Sequence, residues 1–446
     1  MPMLRRGCFA IGMTVGILSA LAQAALAQGA TPTAAMGFPK TVGAERVSRR
    51  LDVFRVDRKR SYTINGQAQH VGAGFQPSVV FNPKDGVLHV FFQARLGGSG
   101  DTSAKMIAHV RSRDFGQSFS EPQFVNRRPM QTYAMSSFIR TAPSGATRLS
   151  VLTSLSIDET VARHKDPQVI QDLFDIDVTA FSRKAAALVV EFYSDDSGTT
   201  WNRRYLPGIS DRVYRRNGKD YYLAFMNLIG QVRQMDGGPH RGRLILAGPL
   251  RGSYLPCPDH ARFRQYHASS SLIYSDDGGE TWTFGGVIAD ETAFAHNEAS
   301  AVAVNDGQRI LMVRRRNRNA EHGKVMHYSD DGGQTWQEGF VSPIPATRCL
   351  QVLETHGNTV LCSAPAMRNR THGTIYFSRD HGKTWNRKLI EEGPFSYSTV
   401  QRLTGAYLMC CYSRGHHGES GVAARIFAAD WLEQPDAATG RPAPDA

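Results

Sequence analysis

An octapeptide of the form Ser-x-Asp-x-Gly-x-Thr-Trp returns along the chain. It reads Ser194-Asp195-Asp196-Ser197-Gly198-Thr199-Thr200-Trp201, then Ser275 to Trp282, Ser329 to Trp336 and Ser378 to Trp385. A weaker copy, Ser112 to Phe119, has Phe119 in place of the tryptophan. Successive copies start 82, 81, 54 and 49 residues apart. Recurrence at such intervals means that one supersecondary unit has been repeated. The residue types say which unit. An aspartate can accept hydrogen bonds from backbone N–H groups of its own turn, a glycine supplies a φ > 0 position, and a tryptophan packs as an anchor beneath. Each copy follows a β-rich run such as Ala268–Tyr274, so each is read as the turn of a hairpin.

Other runs agree. Ser61–Ile64 leads into the Asn65-Gly66 turn, Pro77–Phe81 and Val87–Phe92 flank Asn82–Gly86, and Ala301–Val304 and Ile310–Val313 flank Asn305-Asp306-Gly307. The expected fold is therefore all-β, a β-propeller with four strands to the unit. The five aspartates Asp114, Asp196, Asp277, Asp331 and Asp380 are expected to be structural. The segment from Asp158 to Asp175 breaks the pattern and is expected to be an insertion between units, with a short helix.

The ends carry other signals. Arg5 and Arg6 precede the uncharged apolar stretch Cys8–Leu21, and Ala25-Leu26-Ala27 is an A-x-A site, so residues 1–27 read as a cleaved signal peptide and the product as exported, periplasmic or secreted. The apolar run is short for a membrane span. Residues 28–44 read as a loose leader, 45–430 as a single propeller, and 431–446, rich in Pro, Ala, Gly and Asp, as a disordered tail. Five cysteines follow the signal: Cys257, Cys349, Cys362, Cys410 and Cys411. Their spacing is no disulfide framework, although a Cys349–Cys362 pair is open. No metal-ligand spacing is present, and neither metal nor organic cofactor is expected. The formal net charge of +12, from 52 Lys and Arg against 40 Asp and Glu, favours acidic partners. No nucleic-acid module is visible, so an acidic carbohydrate is the partner expected, with the protein a monomer.

Four segments could carry chemistry. In Phe91–Asp101 an apolar strand ends in Arg95, and a glycine-rich loop then bears Asp101. Glycines let such a loop approach a ligand closely. His296-Asn297-Glu298-Ala299-Ser300 places a glutamate at the start of a strand. Ile310–Arg314 ends a strand in arginine, with Arg315 and Arg316 following. Ser363–Arg370 precedes the last octapeptide, and Gly393-Pro394-Phe395-Ser396-Tyr397-Ser398 follows it.

Taken together, the octapeptides and these segments resemble the sialidase (neuraminidase) superfamily, in its bacterial exo-α-sialidase-like members with Asp-box (BNR) repeats. The resemblance implies a six-bladed propeller that hydrolyses terminal sialic acid from glycoconjugates with retention. Matched by position, it implies Tyr397 as nucleophile, Glu298 as the base that activates it, Asp101 as general acid/base, and Arg95, Arg314 and Arg370 as substrate-binding residues, with Arg368 the alternative to Arg370. A tyrosine suits a sugar that already bears a carboxylate, because a carboxylate nucleophile would be repelled. The chain departs from the pattern where Gly74-Phe75-Gln76-Pro77 stands for Phe/Tyr-Arg-Ile-Pro, so that Gln76 occupies the place of an arginine, and Ser413-Arg414 stands where its supporting glutamate is expected. Gln76 can still donate a hydrogen bond, or Arg140 or Arg414 can enter the pocket instead. Two alternatives stay open: a retaining glycosidase for another keto-deoxy sugar acid, and a glycan-binding propeller without catalysis.

Overall fold

The structure, a computed structural model, describes residues 46–434 apart from 157–186, 255–266, 290–295, 317–322, 415–420 and gaps of up to three residues elsewhere. The segments expected to be a signal peptide (1–27), a loose leader (28–44) and an insertion (158–175) lie outside the described residues. Six antiparallel sheets account for the described strands and form six blades around an axis. Chain order is blade order. The first blade holds Ser61–Ile64, Gln67–Asn82, Val87–Leu96, Lys105–Ser112 and Gln123–Phe124. Blades two to five run from Thr132 to Tyr205, Val213 to Ala289, His296 to Val341 and Val352 to Pro394. Among the described residues no helix is long and apolar enough to cross a membrane.

The sixth blade closes the ring. Its strands Ser398–Arg402, Tyr407–Ser413 and Val422–Ala428 come from the end of the chain, and the fourth, Leu51–Phe54, comes from the beginning. Leu51 pairs with Ala424 and Phe54 with Val422. Packed structure continues past residue 430: Ala429–Glu433 is a 3₁₀ turn, Leu432 is buried, and the Trp431 ring lies 5.4 Å from that of Phe427.

The five octapeptides fold alike. In each, the serine hydroxyl donates to the aspartate two residues on, as Ser329 Oγ does to Asp331 Oδ1 at 2.8 Å, and accepts the N–H of the glycine, as from Gly333 at 2.8 Å. The other carboxylate oxygen accepts the hydroxyl of the next Thr or Ser, as from Thr335 at 2.5 Å. The glycines have φ between 81° and 96°, where a Cβ would be strained. These carboxylates are engaged within their own turns. Burial raises the pKa of Asp196, Asp331 and Asp380, but hydrogen bonds from the turn outweigh it and hold them at about 2. Tryptophan follows in four copies; Trp282 is buried, and Trp336 Nε1 donates to Gly286 O in the preceding blade at 3.0 Å.

Apolar clusters lie between neighbouring sheets rather than at one centre. One joins Val302, Leu311 and Met326 of the fourth blade to Leu353, Cys362 and Tyr376 of the fifth. Cys349, Cys362, Cys410 and Cys411 are all buried thiols, and Cys349 and Cys362 are not bonded to each other. Burial pushes the Cys362 thiol up to about 12.

Candidate active site

Tyr397 lies just ahead of the strand Ser398–Arg402 in the sixth blade. Its carbonyl accepts the N–H of Ser413 at 2.9 Å, which extends the pairing with the neighbouring strand and fixes its backbone. Tyr397 Oη donates to Glu298 Oε1 at 2.6 Å. Glu298 enters from the strand His296–Val304 of the fourth blade, 99 residues away in sequence. Both residues are about 5% exposed, Glu298 at 5% and Tyr397 at 6%, so the pair is largely dry. Burial, and then the negative charge of Glu298, push the phenol well above its ordinary value, with Arg315 opposing them. The phenol is therefore protonated, with a carboxylate in place to take its proton.

Arg315 completes the group. Its Nη1 donates to Tyr397 Oη at 2.7 Å and lies 2.7 Å from Glu298 Oε2. Burial alone would lower its pKa, but the charges of Glu298 and Tyr397 raise it. Arg314, the residue expected from the sequence, makes neither of these contacts. Arg314 is 2% exposed, and its Nε donates to Ser270 Oγ at 2.9 Å, with His327 Nε2 3.4 Å from Nη1. Strand geometry explains the difference. Ala299 pairs with Arg314, so these two share one face of the sheet. Arg315, one residue on, turns to the other face, and Glu298 lies in the register shift between His296 and Ala299, opposite Arg315. The turn Asn305-Asp306-Gly307 already implied this parity, since Val304 pairs with Arg309.

Arg370 stands at the end of the turn between Thr359–Pro365 and Thr371–Ser378, at φ 60°. Its guanidinium lies 5.6 Å from the centre of the Tyr397 ring. Nη2 donates to Arg348 O at 2.9 Å and Nη1 to Ser396 Oγ at 3.4 Å. Arg368, the alternative, is exposed.

On the other side, the Phe75 ring packs 4.7 Å from that of Tyr397, and the Arg95 guanidinium lies 4.3 Å from the Phe75 ring. Arg95 Nη2 is 2.9 Å from Asp101 Oδ1, a buried cation joined to a carboxylate whose side chain is 88% exposed. Lys105 Nζ donates to the carbonyl of Asp101 at 2.5 Å, which ties the loop down. Gln76 adjoins Phe75, and its backbone N–H donates to Ser413 Oγ at 3.0 Å. The structure thus brings Arg95, Asp101, Gln76, Glu298, Arg370 and Tyr397 to one end of the blades, and adds Arg315 and Phe75.

Arg140 does not enter this site. It is buried between the second and third blades, where Nε donates to Glu191 Oε1 at 3.0 Å and Nη1 pairs with Glu280. Arg204 binds the same two carboxylates, so the four side chains form a closed network. A cavity of about 230 Å³, lined by Asp236, Asn305, Asp306, Thr355 and His381 among others, opens at the opposite end of the blades. Among the described residues no group of three or more His, Cys, Asp or Glu is placed to hold a metal ion.

Comparison with known proteins bears on the family and the fold. The BNR repeat-like domain matches residues 173–410. A sialidase of Micromonospora viridifaciens is 27% identical over 252 residues, covering 54% of this chain and 35% of the relative. A sialidase of Paraclostridium sordellii is 30% identical over 163 residues, covering 33% of this chain and 40% of the relative. The chain thus spans well under half the length of these two relatives. In fold, it is similar to the Trypanosoma rangeli sialidase solved in complex with the inhibitor DANA, at a TM-score of 0.60 and 15% identity, over 86% of this chain and 60% of that one. With the domain match covering more than half its length, the chain belongs to the BNR repeat-like family of the sialidase superfamily.

Proposed function

We propose that this protein is an exported exo-α-sialidase that removes terminal sialic acid from glycoconjugates with retention. The observation that carries the reading is the hydroxyl of Tyr397, held 2.6 Å from Glu298 Oε1 and 2.7 Å from Arg315 Nη1. A phenol of raised pKa is a weak nucleophile unless a base takes its proton as it attacks. Glu298 is that base.

In the first step Tyr397 Oη attacks the anomeric carbon and loses its proton to Glu298. Asp101, whose side chain is 88% exposed, leaves its ion pair with Arg95 as the substrate enters and takes up a proton from solvent. The glycosidic C–O bond breaks, and Asp101 gives that proton to the departing oxygen. In the second step Asp101 takes a proton from water, water attacks the anomeric carbon, and the released phenoxide regains its proton from Glu298. Two inversions at one carbon give retention. Arg315 and Arg370 face the sugar's carboxylate, since a guanidinium pairs with a carboxylate through two parallel hydrogen bonds. A carboxylate nucleophile would meet repulsion from that same group, and a neutral tyrosine does not. Gln76, a neutral amide beside this cationic cluster, favours as second reading a retaining glycosidase for another keto-deoxy sugar acid.

The test is release of fluorophore from 4-methylumbelliferyl α-sialoside by the wild type, Tyr397→Phe and Asp101→Ala. Turnover in the wild type and a fall of at least about 100-fold in both variants is expected. Equal turnover in Tyr397→Phe would remove the tyrosine from its role. A silent wild type with activity on glycosides of another keto-deoxy acid would establish the second reading.

A further inference from the structure

Gln76 is held in a way that a surface glutamine is not. Its φ is 53°, in the left-handed region that a residue other than glycine seldom adopts. The strand pairing between Gln67–Asn82 and Val87–Leu96 shifts register between Phe75 and Ser78, so Gln76 sits in a bulge that re-aims its side chain. Pro77 follows it and has no N–H to offer the ladder. The backbone N–H is taken by Ser413 Oγ, and the side-chain oxygen accepts from Gln93 Nε2 at 2.5 Å. Gln93 is 1% exposed. Strained backbone of this kind persists only where surrounding contacts hold it, and it concentrates where a ligand is gripped.

An amide has two ends of opposite character: its oxygen accepts and its NH₂ donates. Gln93 engages the oxygen of Gln76, so Nε2 is the end left for a ligand. We infer that Gln93 is a positioning residue that locks the Gln76 amide with its NH₂ toward the sugar's carboxylate, giving the site a neutral donor beside Arg315 and Arg370. The inference rests on the sialidase reading above. It makes Gln76 a directional contact whose sense is set by a buried neighbour and not by charge.

Reversal of that sense tests it. Gln93→Glu keeps the size of the side chain but offers only acceptors when ionised. The Gln76 amide then turns to donate to Glu and presents its oxygen to the substrate. KM for the 4-methylumbelliferyl α-sialoside is expected to rise about tenfold, with kcat within about twofold, as one lost hydrogen bond implies. The new charge could itself repel the substrate, so the cycle is closed with Gln76→Leu and Gln76→Leu/Gln93→Glu. With Gln76 absent, Gln93→Glu is expected to change KM by no more than about twofold. An equal rise in both backgrounds would show that charge alone acts, and would overturn the inference while leaving the sialidase reading intact. An unchanged KM in Gln93→Glu does the same. If that variant does not fold, Gln93→Met, which releases the amide without adding charge, is expected to raise KM about threefold, and an unchanged KM there overturns the inference. A wild type without sialidase activity overturns the reading and this inference together.

Discussion

Arg314 and Arg315 are adjacent in sequence and chemically identical, yet one bonds to Ser270 beneath the sheet and the other to Tyr397 and Glu298. Their separation is the work of strand alternation alone. It gives two distinct expectations for one substitution. Arg315→Met removes a cation from a desolvated carboxylate and phenol, and should lower kcat/KM by about 10² to 10³. Arg314→Met should leave KM nearly unchanged and cost about 1–3 kcal/mol of stability, because Ser270 and His327 lose a buried partner. Steady-state kinetics and urea denaturation on the two variants separate the roles. A larger kinetic loss from Arg314→Met than from Arg315→Met would reverse the assignment.

The hairpin and its turn are the elements that hold the blades together. The first blade meets the octapeptide turn of the second through a buried histidine pair, His89 Nδ1 lying 3.0 Å from His109 Nε2. The His109 ring stacks on Phe91 and meets Trp201 edge-on, and a Cβ on Gly198 would come within 2.4 Å of it. Burial lowers the His89 pKa to about 4, with Asp85 raising it and Arg111 and Arg113 lowering it; burial, then His89 and Arg111, hold that of His109 well below its ordinary value. Both rings are thus neutral in the folded protein. The unfolded chain takes up protons near pH 6.5, and the folded one does not until about pH 4. Stability is therefore intact above about pH 6.5 and is lost as pH falls from there toward 4, at up to about 1.4 kcal/mol per pH unit for each ring. Urea denaturation between pH 7 and pH 5 should show the slope, and His89→Leu should reduce it by about one such increment. An equal slope in that variant would detach the pair from acid stability.

At the scale of the molecule, the ring closes through strands from its two ends. Phe54 lies in the closing strand Leu51–Phe54, is 7% exposed, and places its ring 4.7 Å from that of Phe92 in the first blade. A Cβ on Gly74 would come within 2.9 Å of the Phe54 ring, so the fit there is tight. Phe54→Ala should cost about 3–5 kcal/mol, as for a phenylalanine removed from a core, and calorimetry would read it as a lower Tm. A loss below about 1 kcal/mol would mean that the closure contributes little. The same closure bears on the candidate site. Tyr397 and Ser413 belong to the sixth blade, Gln76 to the first, and Glu298 and Arg315 to the fourth, so the site exists only when the ring is shut.

Much of this was legible before any coordinates. Five octapeptides specify turns whose bonds are local, with serine, aspartate, glycine and threonine all within seven residues, and local chemistry is what sequence reports best. The propeller, the structural role of those aspartates and the convergence of Tyr397 with Glu298 followed from repeats and matched segments. That Arg315 and not Arg314 meets Tyr397 was recoverable in part, since the turn at Asn305–Gly307 sets the pairing parity of its hairpin. Other features required the tertiary structure. The pairing of Leu51–Phe54 with Val422–Ala428 joins segments more than 360 residues apart, and no local signal encodes it. The removal of Arg140 to Glu191 and Glu280, and the grip of Gln93 and Ser413 on Gln76, depend on which blade faces which. Sequence alone determined the repeated unit, because its forces act within a few residues. The structure decided which side chains meet, because contacts across blades are fixed only once the ring has closed.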